Sequence, residues 1–210
     1  MPAFATAIVQ GEPNVANRLA DFGLVPEQLL AVGVTARTWA DDASPLMPVN
    51  APGTLAYIHG VMELRQQLLD GRWMIDRTCG IEAVVNRDRR IRIAFQNVDR
   101  ACDPNFPPNP RSAKGSAAEY LCGPTLFEFA GVEAGPLTGV LQDGLPTYYL
   151  MVGEDGSVEL SHPVISNGSY VQFHERILIS APDGDWADEI DPETGPVDDF
   201  DVPVRLKNGV

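Results

Sequence analysis

Basic residues are concentrated in the middle of this chain, where they could bind an anion. Residues 71 to 120 carry nine Lys or Arg side chains against six Asp or Glu, although the whole chain has a formal charge of −14. Guanidinium groups and the free amides at a helix start both bind phosphate or carboxylate oxygens. The sequence therefore predicts an anion site on a hairpin and on the segment before a helix beginning at Ser116: Arg87, Arg89, Arg90, Arg92, Arg111 and Lys114. Alternatively, these side chains neutralise the chain's own acidic end.

Familiar catalytic motifs are missing from the sequence. It contains no G-x-S-x-G, no G-x-x-x-x-G-K-[ST], no G-x-G-x-x-G after a predicted strand and no H-E-x-x-H. Asp76 and Glu82 resemble the beginning of a metal-dependent nuclease site, but Val84 stands where that site needs a lysine. We therefore predict no catalytic residue, no metal site and no cofactor.

Several other polar residues have both a chemical and a structural interpretation. Asp99 and Asp103 flank a strand end and could hold magnesium, but aspartates there usually form turns. His162 and His174 fall on neighbouring predicted strands, where two imidazoles without a third ligand do not make a metal site. His59 lies on the polar side of a predicted helix, which is most often solvated.

The last part of the chain is strongly acidic. Residues 121 to 210 carry 16 acidic against 3 basic side chains, and residues 181–210 are predicted to form an acidic segment, loosely docked on a single domain of residues 1–180. Clustered carboxylates can imitate phosphate spacing and attract a basic partner. The predicted protein-binding residues are Asp183, Asp185, Asp188, Glu189, Asp191, Glu193, Asp198, Asp199 and Asp201.

Composition favours a cytoplasmic protein that does not contact a membrane. The first residues lack the basic and apolar regions of a secretory signal, and no apolar run approaches the ~20 residues of a membrane span. Three cysteines without a C-x-x-C pair indicate reduced thiols. The charge of −14 argues against direct nonspecific binding to nucleic acid.

Hydrophobic periodicity predicts an α+β fold. A long amphipathic helix is expected to pack on an antiparallel hairpin, with shorter helices before it and an antiparallel β-meander at the C-terminal end. The predicted elements are helices over 14–22, from Pro26, and over 52–70, hairpin strands near 81–86 and 90–96, and meander strands over 148–152, 158–165 and 170–180.

Three hypotheses for the function follow. The run 91–103, with 110–116, is similar to proteins of proteobacterial phages and plasmids, which implies a mobile-element setting and no particular activity. The first hypothesis is a non-catalytic acidic binding protein that inhibits a host protein handling nucleic acid, of the anti-restriction or anti-CRISPR type, by engaging its basic surface. The alternative is an enzyme of unfamiliar type acting on a phosphorylated or nucleic-acid substrate, with Asp99, Asp103 or His59 as proton carriers or ligands. The third is a homo-oligomer that assembles through an edge of the meander.

Overall fold

A mixed seven-stranded sheet organises the computed structural model, which describes residues 5–122 and 144–180. The strand order is β1-β7-β6-β5-β4-β3-β2. The helices are α1 (Glu12–Asp21), α2 (Pro26–Asp41), α3 (Ala51–Leu68) and α4 (Ser116–Cys122), and the strands are β1 (Ala7–Val9), β2 (Met74–Asp76), β3 (Ala83–Asn86), β4 (Ile91–Asn97), β5 (Thr147–Val152), β6 (Val158–Ser166) and β7 (Ser169–Ser180). The α+β class predicted from the sequence is confirmed.

Parallel pairing joins the two halves of the sheet. Strands β2, β3 and β4 pair antiparallel, as do β5, β6 and β7, while β4 lies parallel to β5. The N-terminal strand β1 pairs parallel with β7. Strands β5 and β6 therefore have a paired neighbour on both sides, whereas β1 pairs with β7 only over three residues, 175–177. Self-association through the remaining edge of β7 stays a prediction. Within the described residues, the outer edges of the sheet belong to β1 and β2.

Helices α1, α2 and α3 cover one face of the sheet with an apolar core. Leu19, Leu29 and Leu64 are buried there against strand residues such as Ile93 and Leu150. This burial is the main stabilising term, at roughly 25 cal/mol per Å² of apolar surface removed from water.

Two glycines bring the helices close to the sheet. A Cβ atom added to Gly33 of α2 or to Gly60 of α3 would lie 2.5 Å from Val158 or from Phe95, respectively. Because protein interiors are close-packed, neither position leaves room for a larger residue without displacing a strand side chain.

The opposite face of the sheet is buried but polar. Helix α4 packs there with Ala118 and Cys122 near Met151 and Phe173. Between these apolar residues, the strands carry buried polar side chains at alternate positions: Arg92, Thr147, Glu159, Ser161 and Arg176. Buried charges need partners, so this face is held by ion pairs as well as by apolar contacts.

Residues 181–210, predicted as a loosely docked acidic segment, lie outside the described residues. Within the described part of the chain, no single helix is long and apolar enough to cross a membrane, and the one pair that qualifies by combined length and composition, α1 with α2, bends by 97°.

Candidate functional site

The six basic residues predicted to bind an anion do not form one cluster. Arg92 lies on the polar face of β4, is only 1% exposed, and places its Nε atom 2.5 Å from a carboxylate oxygen of Asp76. Its Nη1 atom donates to the hydroxyl of Thr147 at 3.3 Å. The side chain of Arg92 therefore lies on the buried polar face of the sheet, as the alternation of residues along β4 requires.

The other arginines lie near opposite ends of β4. Arg87, Arg89 and Arg90 occupy the turn between β3 and β4, where Arg89 and Arg90 donate to the backbone carbonyls of Asp21 and Gly144. Arg111 follows the far end of β4 and forms a 2.8 Å ion pair with Glu154. An anion site at the turn remains a prediction for its three arginines.

Lys114 is positioned differently, in a cavity of about 240 Å³ between the loop before α4, the segment 79–82 and strands β4 and β5. Its ammonium group donates to the side-chain carbonyl of Gln96 and lies 4.6 Å from the ring centroid of Tyr149. Its backbone N–H donates to the carbonyl of Gly168 at 2.8 Å, which ties the loop to the β6–β7 turn. A lysine is therefore held against the polar face of the sheet.

Burial shifts the pKa values of two side chains that line this cavity. Desolvation lowers the pKa of Lys114 to about 8, because removing an ammonium group from water disfavours its charged form. The same effect raises the pKa of Tyr149 well above its usual range, so that this phenol stays protonated at neutral pH. Cys79 also lines the cavity and is exposed, whereas Cys102 and Cys122 are buried.

An ion-pair network forms the wall of the cavity beside β3. Glu82 accepts hydrogen bonds from Arg65 of α3 and from Arg77, and Arg65 together with Arg77 holds the pKa of that carboxyl below its ordinary value. Glu82 is thus neutralised by two guanidinium groups. With Lys114 included, these four side chains have a formal charge of +2 in a chain whose total is −14.

Sequence reasoning identified Lys114 but missed its surroundings. Gln96 and Tyr149 occupy polar-face positions of β4 and β5, and only the parallel pairing of these strands brings them together. Alternation along each strand gives the face of each residue, but it does not give the neighbouring strand.

The aspartates weighed as metal ligands are engaged in loop structure. Asp99 accepts from the backbone N–H groups of Arg100 and Asn109, and Asp103 accepts from those of Asn105 and Phe106. These contacts are typical of turn-forming aspartates. No group of three or more His, Cys, Asp or Glu in residues 5–122 and 144–180 is arranged to hold a metal ion.

The three histidines are placed among aromatic rings. His162 and His174 lie with ring centroids 4.6 Å apart on β6 and β7, as their predicted strands suggested. His59 stacks on Trp39 of α2 with a centroid distance of 3.6 Å and an interplanar angle of 2°. His59 is therefore partly buried by its contact with α2.

A second cavity, of about 290 Å³, lies where the parallel strands β4 and β5 end. Its charged residues include Arg37, which pairs with Asp41 at 2.5 Å, and Arg111, which pairs with Glu154. Since its cations already have carboxylate partners, this cavity has no net charge with which to select a ligand.

The nine carboxylates predicted to bind a protein partner all lie in residues 181–210, outside the described residues. Comparisons of the chain with protein-family models, with curated proteins and with solved structures find no significant match.

Proposed function

We propose that this protein is a non-catalytic acidic binding protein that inhibits a nucleic-acid-handling protein by engaging its basic surface. The observation that carries the proposal is the distribution of charge. Residues 181–210 hold nine acidic residues against Arg205 and Lys207, which gives −7, half of the total charge, in thirty residues. Such a charge density speeds association with a basic surface and competes with nucleic acid for it.

The described part of the chain supports this proposal because several of its carboxylates are paired with its own basic side chains. Glu159 pairs with Arg176, Asp76 with Arg92, and Glu175 accepts two hydrogen bonds from Arg18. Arg92, one of the arginines considered as a neutraliser of the C-terminal acids, is thus already paired.

Neutralising the nine C-terminal acidic residues in the full-length chain tests the proposal. Each Asp becomes Asn and each Glu becomes Gln, and cleavage of DNA by a panel of restriction and CRISPR nucleases is measured with increasing protein. We expect inhibition by the native chain, relieved by salt because exposed charges are screened, and loss of inhibition in the variant. A control variant with Glu12→Gln, Glu27→Gln and Asp42→Asn should still inhibit. Equal inhibition by the nine-residue variant and the native chain would refute the proposal.

We also propose self-association through an apolar surface between α3 and β2, the α3–β2 surface. It consists of Ile58 and Met62 of α3, Leu69 directly after that helix and Ile75 of β2, each 42% to 52% exposed, around a shallow cavity. Isolated exposed apolar residues are ordinary, but a contiguous group beside an open strand edge is typical of an interface. The proposed occupant is a second copy of this chain.

Charge makes a second copy the suitable occupant. A two-fold interface places a surface against itself, so a surface with net charge would repel its own copy. Arg65, the one charged side chain among the described residues that line the shallow cavity, is paired with Glu82. Pairing of two β2 strands would also extend the sheet.

Light scattering after size-exclusion chromatography measures the mass of the native chain and of the variant Ile58→Asp with Met62→Asp. We expect a dimer for the native chain and a monomer for the variant. The control is Val34→Asp, which is 67% exposed on α2 and does not line the α3–β2 surface. A monomeric native chain, or a dimer that survives both aspartates, would exclude this interface.

A further inference from the structure

We infer that the cavity around Lys114 binds a small anion, a carboxylate or a phosphate, at a site separate from the arginines of the β3–β4 turn. The inference goes beyond the proposed inhibitory function, since the described residues that line this cavity lie on the polar face of the sheet and include none of the C-terminal acids.

The geometry supplies a cation without a counter-ion. In residues 5–122 and 144–180, no carboxylate lies within ion-pair distance of the Lys114 ammonium group, whose described neighbours are the Gln96 amide and the rings of Tyr149 and Tyr170. A charge that is partly removed from water is unfavourable unless it is paired. An anion in the cavity would provide the partner.

The wall of the cavity favours the same ligand charge. Glu82, the acidic residue that lines it, is bound by Arg65 and Arg77, so it does not offset Lys114. Ser112 lines the cavity near Lys114 and offers a hydroxyl donor. Ammonium and hydroxyl groups bind carboxylate and phosphate oxygens.

The size and lining of the cavity limit the ligand to a small molecule. Its volume, about 240 Å³, is below the range of roughly 300–1,000 Å³ typical of drug-sized ligands. Tyr57, Phe95 and Tyr149 contribute aromatic surface to the lining, which suits an anion with a short apolar or flat body.

Two sources could provide the anion: a free small molecule, or a carboxylate of the acidic segment of the same chain. The experiment therefore uses two full-length proteins, the native chain and the variant with its nine C-terminal acids neutralised. Inorganic phosphate, acetate and benzoate are titrated into each by calorimetry at constant ionic strength.

We expect one of these probes to bind with one site per chain. Replacing Lys114 with Met should reduce the affinity roughly 10- to 100-fold, the usual effect of losing a hydrogen bond to a charged group. Arg72→Met, which removes the same charge from an exposed side chain outside the cavity, should leave the affinity unchanged. Above pH 8 the native affinity should fall about tenfold per pH unit, because an anion selects the protonated lysine.

Cys79 reports the location of binding without relying on a variant. It lines the same cavity and is exposed, so bound anion should slow its alkylation by N-ethylmaleimide. Binding in the acid-neutralised variant alone would also support the site and would identify the chain's own carboxylates as its occupant. The inference is overturned if no probe binds either protein, if Lys114→Met binds as tightly as Arg72→Met, or if bound anion leaves the alkylation rate of Cys79 unchanged.

Discussion

Lys114 should make the stability of the protein depend on pH in a way that a single substitution removes. Burial lowers its pKa from 10.5 to about 8, so between these values the unfolded chain binds a proton that the folded chain does not. Stability then rises with pH across this window. Below pH 8 Lys114 is protonated in both the folded and the unfolded chain, and the full free-energy cost of burying its charge applies. Above pH 10.5 the lysine is neutral in both states and this cost vanishes.

The size of this effect follows from the pKa difference. At 1.36 kcal/mol for each pKa unit, the penalty below pH 8 is up to about 3 kcal/mol. Lys114→Met removes it together with the hydrogen bond to Gln96 and the contact with Tyr149, which contribute about 1 kcal/mol each in the opposite direction. Losing these two contacts changes the free energy of unfolding but introduces no new titrating group. The change with pH in the difference between variant and native chain therefore reports the protonation of Lys114.

Urea unfolding of the native chain and of Lys114→Met at pH 7, 8, 9 and 10 measures this difference. We expect the free energy of unfolding of the variant, relative to the native chain, to fall by about 2–3 kcal/mol over the series. Tyrosines and cysteines with raised pKa values weaken both proteins at high pH, and their effect cancels in the comparison. Arg87→Met is the control, since arginine does not titrate in this range. A constant difference between Lys114→Met and the native chain at all four pH values would refute the reasoning.

Three further predictions concern the sheet and the thiols. Glu159→Gln should lower the free energy of unfolding, measured with urea, by about 3–5 kcal/mol, because the buried Arg176 loses its paired charge. Replacing both residues with Met should cost less than the sum of the two single changes. Gly60→Ala should destabilise by about 1–3 kcal/mol through overpacking on the strand below, whereas Gly53→Ala on the same helix, where an added Cβ meets nothing within 4 Å, should be neutral or stabilising in the same assay. Mass spectrometry after brief native alkylation should find Cys79 modified and the two buried cysteines unmodified until urea is added.

Local sequence signals predicted elements with a strong period. The proline at the start of α2 and the apolar repeat of α3 predicted both helices. Helix α3 ends at Leu68, two residues before its predicted end. Strands β1 and β2 were missed because three residues are too few to show alternation.

The sequence did not predict which strands far apart in the chain pair with each other. Nothing in the pattern of β4 indicates that β5, which begins fifty residues after Asn97, pairs with it in parallel. The same limit explains Arg92: its basic type suggested an exposed ligand, whereas its carboxylate partner, Asp76, comes from a strand too short to be recognised. Lys114 was found by charge, but its cavity depends on three segments that meet only in the folded chain.

The pairing of β1 with β7 has a consequence for how the chain acquires its structure during synthesis. The Thr6 hydroxyl donates to the carbonyl of Phe173, a contact that spans 167 residues. Among the described strands, β1 is synthesised first and β7 last, so β1 cannot pair until β7 has left the ribosome. Early segments with exposed apolar surfaces would therefore depend on the speed of translation, or on chaperones, until β7 emerges.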